Sequence, residues 1–327
     1  MKRFAVLWAL VLALLTACGQ TPEPPAPPEE AGPIYLASLS VEVSRLGLES
    51  RDLTRAVREL PEALGAALAA QGVEAERVTV TVGSSPEATA QAVREGGVDV
   101  AFLPAGDFDA LENPPELLLL GGRFAPDLGE DPAAWDAAGE GSSLQSLGVP
   151  LLLCAGPTEY GRALVEKQGA LSREDLVQAR WAILEGLLPG DRAAGLFLPE
   201  GQGELPEAEV YQEAQDLFRA AAAGEADLVV LPGGLRLEWS FAWTLEEGKA
   251  DNRNGHEGLG RSGDIYEELP VVDVSGKVYE MAAVVRPEAG ELGSEAFAQA
   301  LAQAVNEVRE EFAVFGEGVY ALVGVEE

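Results

Sequence analysis

Two stretches of this chain repeat one pattern in the same order: GGVDVAFLP from Gly96 to Pro104, and GEADLVVLP from Gly224 to Pro232. Each reads Gly-x-x-Asp, three apolar residues and Leu-Pro, and each follows an alanine-rich helical stretch. A helix that stops at Gly, turns through polar residues and feeds a short buried apolar run is one αβ unit of a parallel sheet. Two such units in 327 residues predict two α/β lobes, each large enough for its own core. Open α/β sheets take ligands beyond the carboxyl ends of their strands. The proline-containing loops after the two strands are therefore expected to line a cleft between the lobes. The competing explanation is coincidence, because Gly-x-x-Asp is a common turn before a strand.

Lys2 and Arg3 precede an apolar run from Phe4 to Leu15, the size of a secretory h-region and short for a membrane span. Leu15-Thr16-Ala17-Cys18 follows, with Gly19 after it. This resembles the bacterial lipoprotein box, in which the cysteine is lipidated and becomes the first residue of the mature protein. Residues 1–17 are thus expected to be a signal peptide, Cys18 the lipidation site, and residues 18–33 a Pro/Glu-rich tether that stays extended. Two acyl chains anchor stably where one is marginal, which places the body outside the cytoplasm, on the bacterial cell membrane.

The chain carries 22 Lys+Arg against 55 Asp+Glu, a formal net charge of −33. Loss of Lys2 and Arg3 leaves 20 against 55, a balance near −35. Such a charge argues against nucleic acid and against a basic membrane-binding patch. A nest of backbone N–H groups can still hold a small anion locally, although the long-range field opposes its capture. With Cys18 lipidated, Cys154 is the lone thiol, so there is no disulfide framework. Inside the apolar run Leu151 to Ala155 it reads as a small buried hydrophobe.

The periodicities predict β-α-β-α-β-β for the first lobe: a strand from Ile34 to Ser40, a helix over 53–71, a strand Val78–Val82, a helix over 85–94, and strands at Asp99–Leu103 and Leu117–Leu120. Ser85-Pro86-Glu87 suits an N-cap with Pro at the first helical position. Residues 124–148 read as a crossing into a second lobe over 149–245, with strands Val149–Ala155, Trp181–Leu184 and Asp227–Leu231 and a helix over 207–223. Residues 246–264 read as a long polar loop at the second crossing, and 265–327 as the return to lobe 1. Two crossings make a hinged clamshell.

With the lipobox, the two lobes and SREDLVQARWAILEGLLPGDRAAGLFLPE from Ser172 to Glu200 in view, the chain resembles a type II solute-binding protein, and more closely the phosphate/phosphite/phosphonate-binding receptors of ABC transporters. Val98 to Phe108 (VDVAFLPAGDF) matches that family's strand and loop, with Phe108 where a Tyr falls. Ser172 to Ile183 matches the segment before its Ser/Thr-rich loop, and Asp191 to Gly195 with Pro199 matches the loop itself. The resemblance covers about 34–287. It implies ligand contacts at Ala105, Gly106 and Phe108 from lobe 1 and at Arg192, Ala193, Ala194 and Gly195 from lobe 2. In the family, hydroxyls at that second loop bind the oxyanion. Ala193 and Ala194 have none, and each lost charge-assisted hydrogen bond costs on the order of 1.5–3 kcal/mol. Phe108 lacks the Tyr hydroxyl. The fold resemblance holds while phosphonate-specific chemistry is weakened, so the solute is either phosphonate-like or of altered specificity. Arg192 either turns into the cleft or is solvated.

Other candidates remain double-valued. Trp239 and Trp243, in WSFAW after the second echo strand, either wall the cleft for a flat or cationic solute or pack in the core. Tyr160 follows the Leu151 strand and either faces the cleft or does not. Ser38 and Ser40, at the end of the first strand, either touch ligand, as that loop does in clamshell receptors, or cap a turn. His256, the one histidine, stands in DNRNGHEG, whose spacing fits neither a zinc motif nor a calcium loop. No G-x-S-x-G element, P-loop or H-E-x-x-H is present, so neither an enzyme nor a cofactor is expected. The resemblance implies a monomeric receptor that delivers a small-molecule solute to an ABC permease and its ATPase. Its rival is a binding-fold lipoprotein that senses or contacts a protein partner instead.

Overall fold

A computed structural model describes residues 32–44, 49–109, 117–137, 145–184, 188, 190–198, 208–286, 290–316 and 318–322. Residues 1–31, where the signal peptide, Cys18 and most of the tether were expected, and Pro199 lie outside the described residues. Ile34–Glu327 forms one unit, built on two sheets.

In chain order the elements are β1 (Ile34–Leu36), β2 (Leu39–Val43), α1 (Ser50–Ala70), β3 (Val73–Ala75), β4 (Val78–Val82), α2 (Pro86–Arg94), β5 (Val100–Pro104), α3 (Ala105–Asp109), β6 (Leu117–Gly122) and β7 (Phe124–Pro126). Then follow α4 (Pro132–Ala137), β8 (Gln145–Leu147), β9 (Val149–Ala155), α5 (Glu159–Val165), α6 (Arg173–Gln178), β10 (Trp181–Leu184), α7 (Gly190–Gly195), β11 (Ala208–Tyr211), α8 (Ala214–Ala222), β12 (Leu228–Pro232) and α9 (Leu235–Thr244). The chain closes with α10 (Ile265–Glu268), β13 (Val271–Val278), β14 (Met281–Val285), α11 (Glu295–Val308) and β15 (Val319–Leu322). Local sequence explains these pieces. Ala56, Leu60, Leu64, Ala67 and Leu68 line one buried face of α1. Ser85 caps α2 by accepting the Ala88 N–H, with Pro86 behind it.

The lobe 1 sheet runs β15-β6-β14-β5-β2-β4 and the lobe 2 sheet runs β11-β10-β12-β9-β13. Within them, β4-β2-β5-β14-β6 and β11-β10-β12-β9-β13 have one topology: three parallel strands, one antiparallel strand, then a fifth parallel to the first three. The echo strands β5 and β12 both stand third, and each pairs its terminal proline with the antiparallel member, Pro104 with Met281 and Pro232 with Leu151. Helices cover both faces of each sheet, giving apolar clusters above and below. This is the two-lobe α/β clamshell architecture.

Four points correct the sequence reading. The first strand is two, because β1 pairs with β3 and only β2 enters the lobe 1 sheet. Residues 208–211 form the edge strand β11 rather than the start of a helix. Residues 246–264 do not cross between lobes: Leu259 packs in the lobe 2 core and Arg261 binds Glu268. Strand β13, assigned above to lobe 1, pairs with β9 in lobe 2. The chain returns at Tyr279–Glu280, between β13 and β14, and there Glu280 meets Arg123 of the outward crossing at 2.6 Å.

Candidate functional site

At the carboxyl end of β5 the chain turns directly into α3, and beyond the carboxyl end of β10 it forms α7. These helices belong to different lobes, and they touch. The Arg192 guanidinium donates to the Gly106 carbonyl and lies 3.6 Å from Asp107 Oδ1. Gly106 permits the approach: a Cβ there would stand 2.7 Å from Leu188 Cδ2 and 3.4 Å from Arg192 Nη1. Arg192 and Asp107 are each about one-third exposed, at 33% and 34%. Removal from water pushes the Asp107 carboxyl upward; Arg192 pulls it back and Glu87 adds to the rise, with a net upward shift. Two lobes are thus joined by one cation on a carbonyl and a carboxylate.

The structure distributes the predicted site residues unevenly. Gly106 and Arg192 come together between the lobes. Ala105 and Phe108 turn inward and pack with Ala101, Leu103, Ala282 and Val284 beneath α3. Ala193 and Ala194 are buried against Trp181 and Ile183 in the core of lobe 2, and Gly195 ends α7 exposed. The two alanines do not stand in the cleft as donors that lost their hydroxyls; a hydroxyl there would enter apolar packing.

Strand direction and burial correct the expectations at Ser40, Ser38, Tyr160, Trp239 and Trp243. Ser40 lies near the amino end of β2, where its N–H and hydroxyl bind Asp99 at 2.9 and 2.7 Å, so it faces away from the cleft end. Ser38 is exposed before that strand. Tyr160 follows β9, but β9 runs antiparallel to its neighbours, which puts its carboxyl end at the amino ends of the parallel strands. There Tyr160, Thr158, Gln178, Arg180 and Asp227 line an open hollow of about 640 Å³ on the far side of lobe 2. Trp239 and Trp243 are core residues: Trp239 stacks between Phe218 and His256 at 4.8 and 4.1 Å, and the Trp243 indole N–H binds Glu268 at 3.0 Å. His256 in turn meets Glu238 at 2.8 Å. Among the described residues, no group of three or more His, Cys, Asp or Glu side chains is placed to hold a metal ion, and no helix is long and apolar enough to cross a membrane.

Asp107, Glu87 and Ser44 were not singled out from sequence. Asp107 is one carboxylate among 55 acidic residues, with no local signal beyond its place after the echo strand. Ser44 follows β2 at its carboxyl end, and among the described residues its buried hydroxyl has no hydrogen-bond partner. A reading that placed the first strand correctly would have put Ser44, rather than Ser40, at the cleft end.

No protein-family profile matches the chain, and no curated protein matches it in sequence. Among solved structures it is similar to XAC2383 from Xanthomonas citri bound to ATP, at 12% identity and a TM-score of 0.42 over 89% of this chain and 92% of that one. It is also similar to PhnD1 from Prochlorococcus marinus in complex with methylphosphonate, at 10% identity and a TM-score of 0.36, over 88% and 93%. A third likeness is to PA3383 from Pseudomonas aeruginosa, a binding protein component of an ABC phosphonate transporter, at 10% identity and a TM-score of 0.34, over 88% and 82%. With scores this low, the fold described above rests on the chain's own strand order.

Proposed function

We propose that this chain is an extracytoplasmic solute-binding lipoprotein, anchored through Cys18, whose lobes close on a small solute where α3 faces α7 and which delivers that solute to an ABC permease and its ATPase. One observation carries the reading: the carboxyl-end helices of two like-ordered sheets meet through Arg192, Gly106 and Asp107. That is where open α/β sheets bind ligands, and the two crossings at Arg123 and Tyr279–Glu280 let the lobes move as bodies about a short hinge. Solute favours the closed arrangement through its differential affinity for it.

Spin labels on Ala88→Cys and Glu213→Cys, both exposed and on different lobes, test the motion in the full chain. Two exchanging lobe-to-lobe distances are expected; one fixed distance under every condition would remove the receptor reading. Mass spectrometry of the chain from bacterial membranes is expected to find a diacylglyceryl group on Cys18, absent in Cys18→Ala. The burial of Ala193 and Ala194 supports a second reading, a lipoprotein that keeps the binding fold and contacts a protein partner instead. Unchanged solute uptake in a host lacking this chain would favour it.

A further inference from the structure

Where α3 meets α7, lobe 1 presents acceptors. The Gly106 carbonyl accepts from the Arg192 guanidinium, which also stands 3.6 Å from Asp107 Oδ1 as an ion pair, and the charge of Glu87 adds to the upward shift of the Asp107 carboxyl. On the facing helix, Ala193 and Ala194 are buried and offer no side-chain donor. An oxyanion entering here would find the guanidinium already engaged and would meet the Asp107 carboxylate. A cation would find a carbonyl that a guanidinium already donates to, with a carboxylate 3.6 Å from the same guanidinium. The chain as a whole carries 22 Lys+Arg against 55 Asp+Glu, a field that draws cations in and slows anions. Gly106 keeps its carbonyl open to such a group, since any side chain there would press on Leu188.

Building on the receptor reading, we infer that the cleft takes a solute bearing a guanidinium or primary ammonium group, which displaces the Arg192 guanidinium from Gly106 and Asp107 as it binds. Arg192 is then an internal competitor that occupies the solute's subsite between turnovers of the receptor.

Calorimetric titration of the full chain in detergent with agmatine, putrescine, methylphosphonate and inorganic phosphate tests this. Agmatine or putrescine is expected to bind, and the two anions to give no heat of binding. Asp107→Asn should weaken the cation by about tenfold to a hundredfold, the loss of a charge-assisted hydrogen bond. Arg192→Gln should tighten it, because the competitor is gone. Weaker cation binding in Arg192→Gln would overturn the inference, as would heat with either anion or silence with all four probes. These failures are separable from failure of the receptor reading. Anion binding abolished by Arg192→Gln leaves a working receptor of the other charge class, and the spin-label distances report lobe motion whatever the probes do. If Asp107→Asn unfolds, Arg192→Gln alone still decides.

Discussion

Asp227 receives the Arg180 N–H at 3.0 Å, two guanidinium nitrogens of the same residue at 2.9 Å and the Thr158 hydroxyl at 2.6 Å. Asp99 receives the N–H and hydroxyl of Ser40, with Arg286 3.3 Å away. In both lobes the aspartate of the repeated pattern ties the third strand to the start of the second, at the amino ends of the parallel strands. Burial pushes the Asp227 carboxyl up, and Arg180 and Thr158 outweigh it, so the group sits below the usual carboxylate range. These residues hold the sheets and stand away from the cleft. Asp227→Ala is expected to cost about 2 kcal/mol, the worth of hydrogen bonds to a charged group, with the ion-pair part discounted because Arg180 is 57% exposed. Urea unfolding measures it, and solute affinity should stay unchanged. An affinity loss larger than the stability loss would place Asp227 in the site. Gly161 is constrained as tightly: a Cβ there would lie 2.2 Å from the Gly156 carbonyl oxygen. Because a carbonyl cannot yield as a side-chain tip can, Gly161→Ala should cost about 1–3 kcal/mol.

At the scale of elements, α4, α9 and β13 are pinned by one buried cation. Arg236 on α9 is 2% exposed; it binds Asp136 at 2.7 Å, the Leu269 carbonyl at 2.8 Å and the Trp135 carbonyl at 2.9 Å. Asp136 also accepts the Val271 N–H. Arg236→Met would leave Asp136 without its counter-ion, at a cost of about 3 kcal/mol, read as a lowered urea midpoint. The α6 cap gives a pH signature. Lys167, then the Ser172 hydroxyl and N–H, hold the Asp175 carboxyl down at about 2. A group depressed in the folded state contributes its stability above its unfolded value, near 4, and loses it as pH falls toward 2. The Tm difference between wild type and Asp175→Asn should therefore be full at pH 7 and shrink between about pH 4 and 2; a constant difference would exclude the linkage. The Ser85 cap of α2 was legible in sequence, the α6 cap was not read there, and the echo strands were legible because Gly96 and Gly224 take positive φ of 73° and 72° and the apolar runs are short and buried. Strand β13 was not, since its partner β9 lies more than a hundred residues away and no local period encodes that pairing. The tryptophans failed for another reason. Helix α9 carries two apolar pairs at i, i+4, Trp239 with Trp243 and Leu237 with Phe241, and only the fold decides that the first pair is buried and the second exposed.

For the molecule as a whole, the hinge and the cleft share a residue. Glu280 binds Arg123 across the two crossings, donates its N–H to the Gly121 carbonyl at 2.9 Å, and accepts the Ala105 N–H at 3.1 Å. Ala105 begins α3, so the helix that carries Gly106 and Asp107 is fastened to the return crossing itself. This arrangement was half legible. The carboxyl-end loops follow from the echo, but the crossing at 279–280 is only two residues between β13 and β14, with no loop to mark it. Gly148 closes the hinge from the lobe 2 side: its φ is +93°, its N–H binds the Arg123 carbonyl at 3.1 Å, and a Cβ would fall 2.8 Å from the Tyr279 ring. Gly148→Ala imposes both a left-handed conformation on a residue with a side chain, worth about 1 kcal/mol, and a collision with Tyr279. The same Cβ would also lie 3.1 Å from Lys277 Cβ, an atom that moves only with the backbone of β13. Relief comes most cheaply by changing the angle between the lobes, which draws α7 away from α3. The expected result is a shifted Ala88-to-Glu213 spin-label distance and weakened solute binding, with each lobe's own hydrogen-exchange protection retained. A distance unchanged from wild type would show that the strain is absorbed inside lobe 2, and the hinge would then have to be sought at Glu280 alone.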